Sequence, residues 1–275
     1  MSVRSFQSLV ALPAVLMAAC AQPPAAAAPP TLQFADYQLV DLTHAYNAQT
    51  IYWPTSPTAF SLETLSKGPT PGGWYYSVNS YASPEHGGTH LDAPLHFGEG
   101  QHATEQIPLE RLMAPAVVID VRAEAGANPD FALRREDVLA FEAAHGRIAA
   151  GTIVLLRTGW STRWPNRKDY LGDDTPNDAS QLHFPAFGAD AARLLVEERA
   201  VAVLGADVAS VDIGQSKDFQ VHRIAAAKQV PGLENLTNLD ALPPTGAYVI
   251  ALPMKIEGGS GGPLRAVAMV PRPRQ

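Results

Sequence analysis

Apolar, β-branched runs bounded by turn residues recur along the chain: Ala116-Val-Val-Ile-Asp-Val121, Thr152-Ile-Val-Leu-Leu156, Val201-Ala-Val-Leu204, Tyr248-Val-Ile-Ala-Leu252 and Leu264-Arg-Ala-Val-Ala-Met-Val270. Runs of this length and composition read as strands. Two segments with helical spacing lie between them, Arg135 to His145 and Ala189 to Arg199. In the second, Ala191, Leu194, Leu195 and Glu198 fall on one helical face, and the segment runs straight into the Val201 strand. Strand, helix, strand alternation predicts an α/β protein whose sheet is at least partly buried. Asp207 follows the Val201 strand directly, where α/β folds commonly expose functional groups; a capping or turn aspartate is the competing reading.

The chain ahead of this pattern has another composition. Met1 to Cys20 reads as a secretory signal, with Arg4 as the positive charge and Leu9 to Ala19 as the apolar run. That run is too short for a permanent membrane span. It ends in Leu16-Met-Ala-Ala-Cys20, which resembles a bacterial lipobox with an atypical Met17, so Cys20 is the residue that a lipid anchor would use. Ordinary cleavage in the following alanines is the alternative. Either route predicts an exported protein, periplasmic or lipid-anchored in the cell envelope. Residues 21–33, rich in alanine and proline, read as an extended tether, and residues 34–275 as one globular domain. Cys20 is the only cysteine, which excludes an intrachain disulfide and a catalytic thiolate. A net charge of −7 without a basic run argues against nucleic acid as a partner.

The chemistry concentrates in His86-Gly-Gly-Thr-His90-Leu-Asp92-Ala-Pro-Leu-His96-Phe97. With eight histidines in 275 residues, three within this block are improbable by chance. His90 and Asp92 are two apart, so on an extended segment both side chains point to one side. Gly87 and Gly88 disfavour a helix but let the backbone curl, so that His86 converges on the same point. Two neutral imidazoles and a carboxylate suit a divalent zinc, manganese or iron ion and leave coordination positions open for water. His96 is a proton shuttle, a further ligand or a structural residue; an imidazole of near-neutral pKa can both take and return the proton that amide hydrolysis moves.

Further candidates are scattered. His222, in Phe219-Gln-Val-His222, and Glu234, in Pro231-Gly-Leu-Glu234, fit as additional ligands or as groups that orient a carbonyl, although lone residues at such spacing commonly sit on the surface. Gly258-Gly-Ser260-Gly-Gly262 satisfies the nucleophile-elbow pattern of serine hydrolases, but Pro263 and a strand follow it where the elbow needs a helix. A glycine-rich turn is the better reading. Trp53 is a candidate for stacking on a flat aryl substrate, and Trp74, Tyr75 and Tyr76 are candidates for either the pocket or the core.

The His86–Phe97 block, Gly205-Ala-Asp-Val-Ala-Ser-Val-Asp212, and His222 with Glu234-Asn-Leu resemble the metal-dependent cyclase family, which includes bacterial kynurenine formamidases and isatin hydrolases. The resemblance runs from about Tyr37 to Val270. It implies that His86, His90 and Asp92 bind a metal, that His96 is the acid/base, and that His222 and Glu234 complete a second metal position with Asp92 bridging. It also implies a sandwich-like barrel of mixed strands with flanking helices, assembled into homodimers or larger homo-oligomers. Ile213-Gly-Gln-Ser216, the Met254–Arg265 segment and the Trp160–Phe184 insertion, with Trp164 and Tyr170, look more like the isatin hydrolase side of the family. A single manganese ion is the implication on that side and the second position belongs to the formamidase branch, so the cofactor is manganese or zinc, as one or two ions. Gln215 is a candidate metal or substrate contact, or a turn glutamine.

These readings converge on an exported metal-dependent amidohydrolase for a cyclic or N-aryl amide, an isatin-like lactam first and N-formylkynurenine second. A non-catalytic periplasmic metal- or ligand-binding protein is the rival of another class; a serine hydrolase built on Ser260 is a third.

Overall fold

A computed structural model describes residues 33–273. The export signal, and all but the last residue of the tether, lie outside the described residues. From Ala35 onward the chain forms one compact unit.

Twelve strands are present among the described residues: β1 (Tyr37–Asp41), β2 (Ser61–Pro69), β3 (Tyr75–Ala82), β4 (His90–Asp92), β5 (Met113–Asp120), β6 (Ala132–Leu133), β7 (Ile153–Arg157), β8 (Ala186–Phe187), β9 (Val203–Ala206), β10 (Gly232–Glu234), β11 (Ala247–Pro253) and β12 (Gly261–Pro271). The main sheet runs β12-β11-β5-β7-β9-β10-β4, and β4 pairs back onto β12, which closes seven strands into a barrel. Closure works because β12 is long. Its first residues pair with β4, while β1 occupies the far end of the same edge, from Val267 to Pro271. β5, β7, β9 and β10 are parallel and the remaining pairs antiparallel, so the sheet is mixed, as expected.

The strand β7 shows why these runs read as continuously apolar. Ile153 and Leu155 point into the barrel with Leu91, Val203, Leu233 and Val249. Val154 and Leu156 point outward into a second core, with Leu194 and Leu195 of the helical layer and with Phe184. A strand buried on both faces has no polar side to alternate. The helix Arg135–His145 has the expected bounds, whereas the second helical segment is α-helical over Ala189–Arg193 and finishes as a π turn over Leu194–Glu198. A third element departs from the barrel: β2 and β3 form a separate hairpin, with a bulge between Thr64 and Ser66 and side chains exposed along both strands.

Candidate metal centre

The loop entering β4 turns on two glycines. Gly88 sits at φ +59°, and a Cβ there would stand 2.6 Å from the Tyr46 ring; at Gly87 it would stand 2.1 Å from the Tyr52 ring. No other residue fits between those rings. The resulting curl carries His86 back over β4, with its Nδ1 2.6 Å from Asp92 Oδ1. Along β4, Leu91 turns into the barrel, so His90 and Asp92 share the outer face. The antiparallel partner β10 sets Glu234 opposite His90 and Gly232 opposite Asp92. A second carboxylate thereby joins the same face.

His222 descends onto this face from the helix Gln220–Ala226. Its Nε2 is 3.1 Å from Asp92 Oδ2 and 3.3 Å from Glu234 Oε1. On the other flank, Nε2 of His90 is 3.1 Å from Asp92 Oδ1 and 3.5 Å from Glu234 Oε2. Both carboxylates thus lie between His90 and His222, and residues more than a hundred positions apart meet at one point.

The outer hydrogen bonds decide which nitrogen each imidazole presents. His90 Nδ1 faces only the carbonyl of Gly88, at 3.0 Å, so it must donate and Nε2 keeps the lone pair. His222 Nδ1 donates to Asp212 Oδ2 at 2.7 Å, and Asp212 also accepts the backbone N–H groups of Val221 and His222. His86 is reversed: Nε2 contacts Ser260 Oγ at 2.8 Å and Nδ1 faces Asp92. In the neutral imidazoles, three lone pairs therefore point at two carboxylates.

Lone pairs facing lone pairs need positive charge between them. Burial works against a charged His90, yet Asp92 and Glu234 outweigh it and push its pKa up to about 9. His222 is also raised, against burial, by Asp212, Asp92 and Glu234. The Glu234 carboxyl is raised by burial and by the Asp92 charge beside it; Asp92, opposed by burial, is held low by His90 and His86. His90 Nε2 is buried and makes no hydrogen bond, although Asp92 Oδ1 lies 3.1 Å away. An imidazole-carboxylate set with a buried nitrogen left unpartnered fits a divalent cation. His86, Asp92 and His96 on one side, and His90, Asp92 and Glu234 on the other, each bring ligand atoms within 4.8 Å of one another.

His96 ends the short turn Pro94–His96 and stacks on His86, with ring centroids 3.8 Å apart and planes 18° apart. The near-neutral pKa expected of it is not found: burial, reinforced by His86, His222 and His90 and opposed by Asp92, lowers it to about 4. Above that pH the ring is neutral and free to accept a proton.

A cavity of about 380 Å³ opens over these groups, walled by Ile51, Trp53, Phe97, Leu171 and Phe219. Phe219 meets Phe97 at 5.2 Å and the edge of Trp53 at 6.2 Å. It holds φ +49°, in the left-handed region, at the residue before the His222 helix. Left-handed backbone at a bulky residue costs energy, and here it swings an aromatic wall over the site. No Lys or Arg lines this cavity among the described residues.

The Cyclase family model matches residues 40–213. An isatin hydrolase of Roseibium aggregatum is 37% identical over 208 residues, 73% of this chain and 77% of that protein. The chain belongs to the cyclase family. A kynurenine formamidase of Sphingopyxis alaskensis is 31% identical over 237 residues, covering 82% of this chain and 95% of the relative. Isatin hydrolase A from Ralstonia solanacearum superposes with a TM-score of 0.79 at 34% identity, over 90% of this chain and all of the other.

Elsewhere in this cyclase-family chain some expected site residues have other work. Gln215 does not line the cavity: its amide donates to the Leu182 carbonyl at 2.6 Å, which makes it a turn glutamine. Trp74, Tyr75 and Tyr76 stand exposed on the hairpin, neither in the pocket nor in the core. Asp207 is buried beneath Thr158 and Gly159, from which it accepts three hydrogen bonds; burial outweighs them and pushes it up to about 6. It braces a turn. Ser260 precedes β12 rather than a helix, and its hydroxyl donates to Glu85, so the elbow geometry is absent.

Asp212, Asn235, Phe97 and Phe219 went unassigned in the sequence. Asn235 donates to the Gly88 carbonyl at 2.8 Å and accepts from Tyr170 at 3.0 Å, fixing the carbonyl that orients His90. Only the fold gives such residues a role, since the atoms they hold belong to distant segments.

Proposed function

We propose that this chain is a metal-dependent amidohydrolase that opens a cyclic aryl amide of the isatin type, with N-formylkynurenine as the second substrate class. The observation that carries the reading is the convergence of three oriented imidazoles on two buried carboxylates beneath an aromatic cavity. His86, His90 and Asp92 would hold one divalent ion, manganese or zinc; His222 and Glu234, with Asp92 shared, would hold a second where two are bound. Such an ion supplies a Lewis acid that polarises the amide carbonyl and lowers the pKa of water.

The chain's own residues do the rest. Trp53, Phe97 and Phe219 hold a flat ring by stacking and edge contacts. His96, neutral near pH 7, accepts the proton of the water whose oxygen bonds to the carbonyl carbon. As the C–N bond breaks, it returns that proton to the leaving nitrogen. Among the described residues no cationic side chain lines the cavity, which favours a neutral lactam over a substrate bearing an amino-acid carboxylate. A second copy of the chain would cover the exposed hairpin, giving a homodimer or larger homo-oligomer. Export through the N-terminal signal, with or without a lipid on Cys20, places the enzyme in the cell envelope.

The test is turnover of purified protein on isatin, N-formylkynurenine and simple aryl amides, before and after chelation, with bound metal counted by elemental analysis. The expected result is lactam opening that is lost on chelation and restored by manganese or zinc. Turnover that survives complete metal removal, or metal binding without turnover of any panel member, would sink the proposal.

A further inference from the structure

His86 differs from the other two imidazoles of the site. It presents Nδ1 where they present Nε2, and its far nitrogen is held by a side chain that has no charge. That side chain, Ser260, is itself tied to a carboxylate. Its hydroxyl is 2.6 Å from Glu85 Oε2, and its backbone N–H reaches the same oxygen at 3.1 Å. An ionised carboxylate has no proton to give, so the serine proton goes to Glu85. Toward His86 the hydroxyl oxygen can then only accept. His86 must carry its proton on Nε2, which leaves the Nδ1 lone pair aimed at Asp92 Oδ1.

The chain builds this relay rigidly. The carbonyl of Ser260 accepts the N–H of Ala93 at 2.8 Å, and Thr104 grips the Gly259 carbonyl from both its N–H and its hydroxyl, each at 2.9 Å. Gly261 pairs across from Asp92, and a Cβ there would stand 2.6 Å from His86 Cε1. The glycine-rich turn thereby lets the serine approach the ring closely enough to hold it. Glu85 and His86 are neighbours in sequence, whereas Ser260 comes from the far end of the chain.

We infer that Glu85 and Ser260 are positioning residues that fix the His86 tautomer, so that Nδ1 is offered to a divalent ion before the ion arrives. The inference rests on the metal-binding part of the function proposed above. Such outer partners commonly account for about 10–100-fold in metal affinity. Two variants probe it differently. Ser260→Ala removes the acceptor. Glu85→Ala removes the oxygen that takes the serine proton, so the hydroxyl is free to turn that proton onto His86 Nε2. That reverses the tautomer and leaves an N–H where the lone pair was.

The experiment is a competition titration of manganese and of zinc against a chromophoric chelator, at fixed pH, on the wild-type protein and both variants. Circular dichroism of the metal-free proteins checks that each is folded. The expected result is a loss of about 10–100-fold in affinity for both variants, with Ser260→Thr, which keeps the hydroxyl, closer to wild type than Ser260→Ala. If Ser260→Ala fails to fold, the Glu85→Ala titration decides alone. Affinities within about twofold of wild type in folded Glu85→Ala overturn the inference while leaving the proposed function standing. A wild-type protein that binds neither metal overturns both.

Discussion

Two regions of this molecule break the rule that charge faces water and apolar surface does not, and they break it in opposite directions. At the β4–β10 face, His90, Asp92, His222 and Glu234 are all buried, with His90 only 2% exposed. On the β2–β3 hairpin, Leu62, Leu65 and Tyr81 lie open to solvent, while Trp74 and Tyr75 are 64% and 63% exposed. Buried polar groups and large exposed apolar patches are the informative departures in a folded chain. The first gathers two buried carboxylates that a cation would suit, and the second presents apolar surface that the proposed second copy would cover.

The largest effect separating the regions comes from Asp92. Its two oxygens face His86 and His90 on one side and His222 on the other, so Asp92→Ala removes the group common to every ligand set. Metal content and turnover are expected to disappear together, while the oligomeric state stays as in the wild type. A variant that retains stoichiometric metal breaks the account of the buried region.

His96→Ala should come next, with a loss of about 10²–10⁴-fold in turnover and most of the metal retained. Its pH dependence has a definite sign. The imidazole is lowered to about 4, so the proton-accepting form persists above that pH and is lost as pH falls through it. A cation bound nearby pushes the same way, by disfavouring the imidazolium. The wild-type acid limb due to His96 therefore lies well below the ordinary histidine range. Loss of metal in His96→Ala instead makes it a ligand, which the closeness of its ring to His86 and Asp92 allows.

On the hairpin side, Trp74→Ser combined with Tyr75→Ser should move the protein toward monomer in light scattering at micromolar concentration, with metal content unchanged. An isolated two-stranded hairpin is marginal in water, so the doubly substituted arm should also become more protease-sensitive. A wild type that is already monomeric breaks the pairing of the two regions.

How far each region could be read from sequence follows the same physics. Strands buried on both faces, such as β7, announce themselves as unbroken apolar runs. β4 and β10 have three residues each and carry ligands where strands usually carry core, so no run marks them. The hairpin strands are exposed on both sides and show no inward face to alternate with. Within the site, His86, His90, Asp92 and His96 were legible because one short continuous segment, a loop, β4 and the turn after it, carries all four. His222 and Glu234 could be named only as isolated candidates until the family resemblance placed them, since spacing cannot show that β10 pairs with β4. Gln215 misled because it adjoins a motif while its amide is drawn to the Leu182 carbonyl.

The smallest effect concerns a nitrogen that resembles His90 Nε2 in being buried and unpartnered, and in nothing else. His44 Nε2 is also buried without a hydrogen-bond partner, and its ring stacks on Trp164 with centroids 4.3 Å apart. No carboxylate raises it, and burial alone lowers its pKa from 6.5 to about 4. Its folded pKa lies below the unfolded one, so the unfolded chain takes up this proton first as pH falls. Its contribution is thus a loss of stability between pH 6.5 and about 4, absent above that window. His44→Phe keeps the stacked ring and removes the titrating nitrogen. In the metal-free protein it should leave the Tm at pH 7 nearly unchanged and lessen the fall in Tm between pH 6.5 and 4.5. For a domain of this size the difference is about 2–4 °C per kcal/mol of titration removed. An identical fall in wild type and variant would mean that His44 reaches water in the folded state. The contrast with His90 would then rest on burial as well as on the carboxylates.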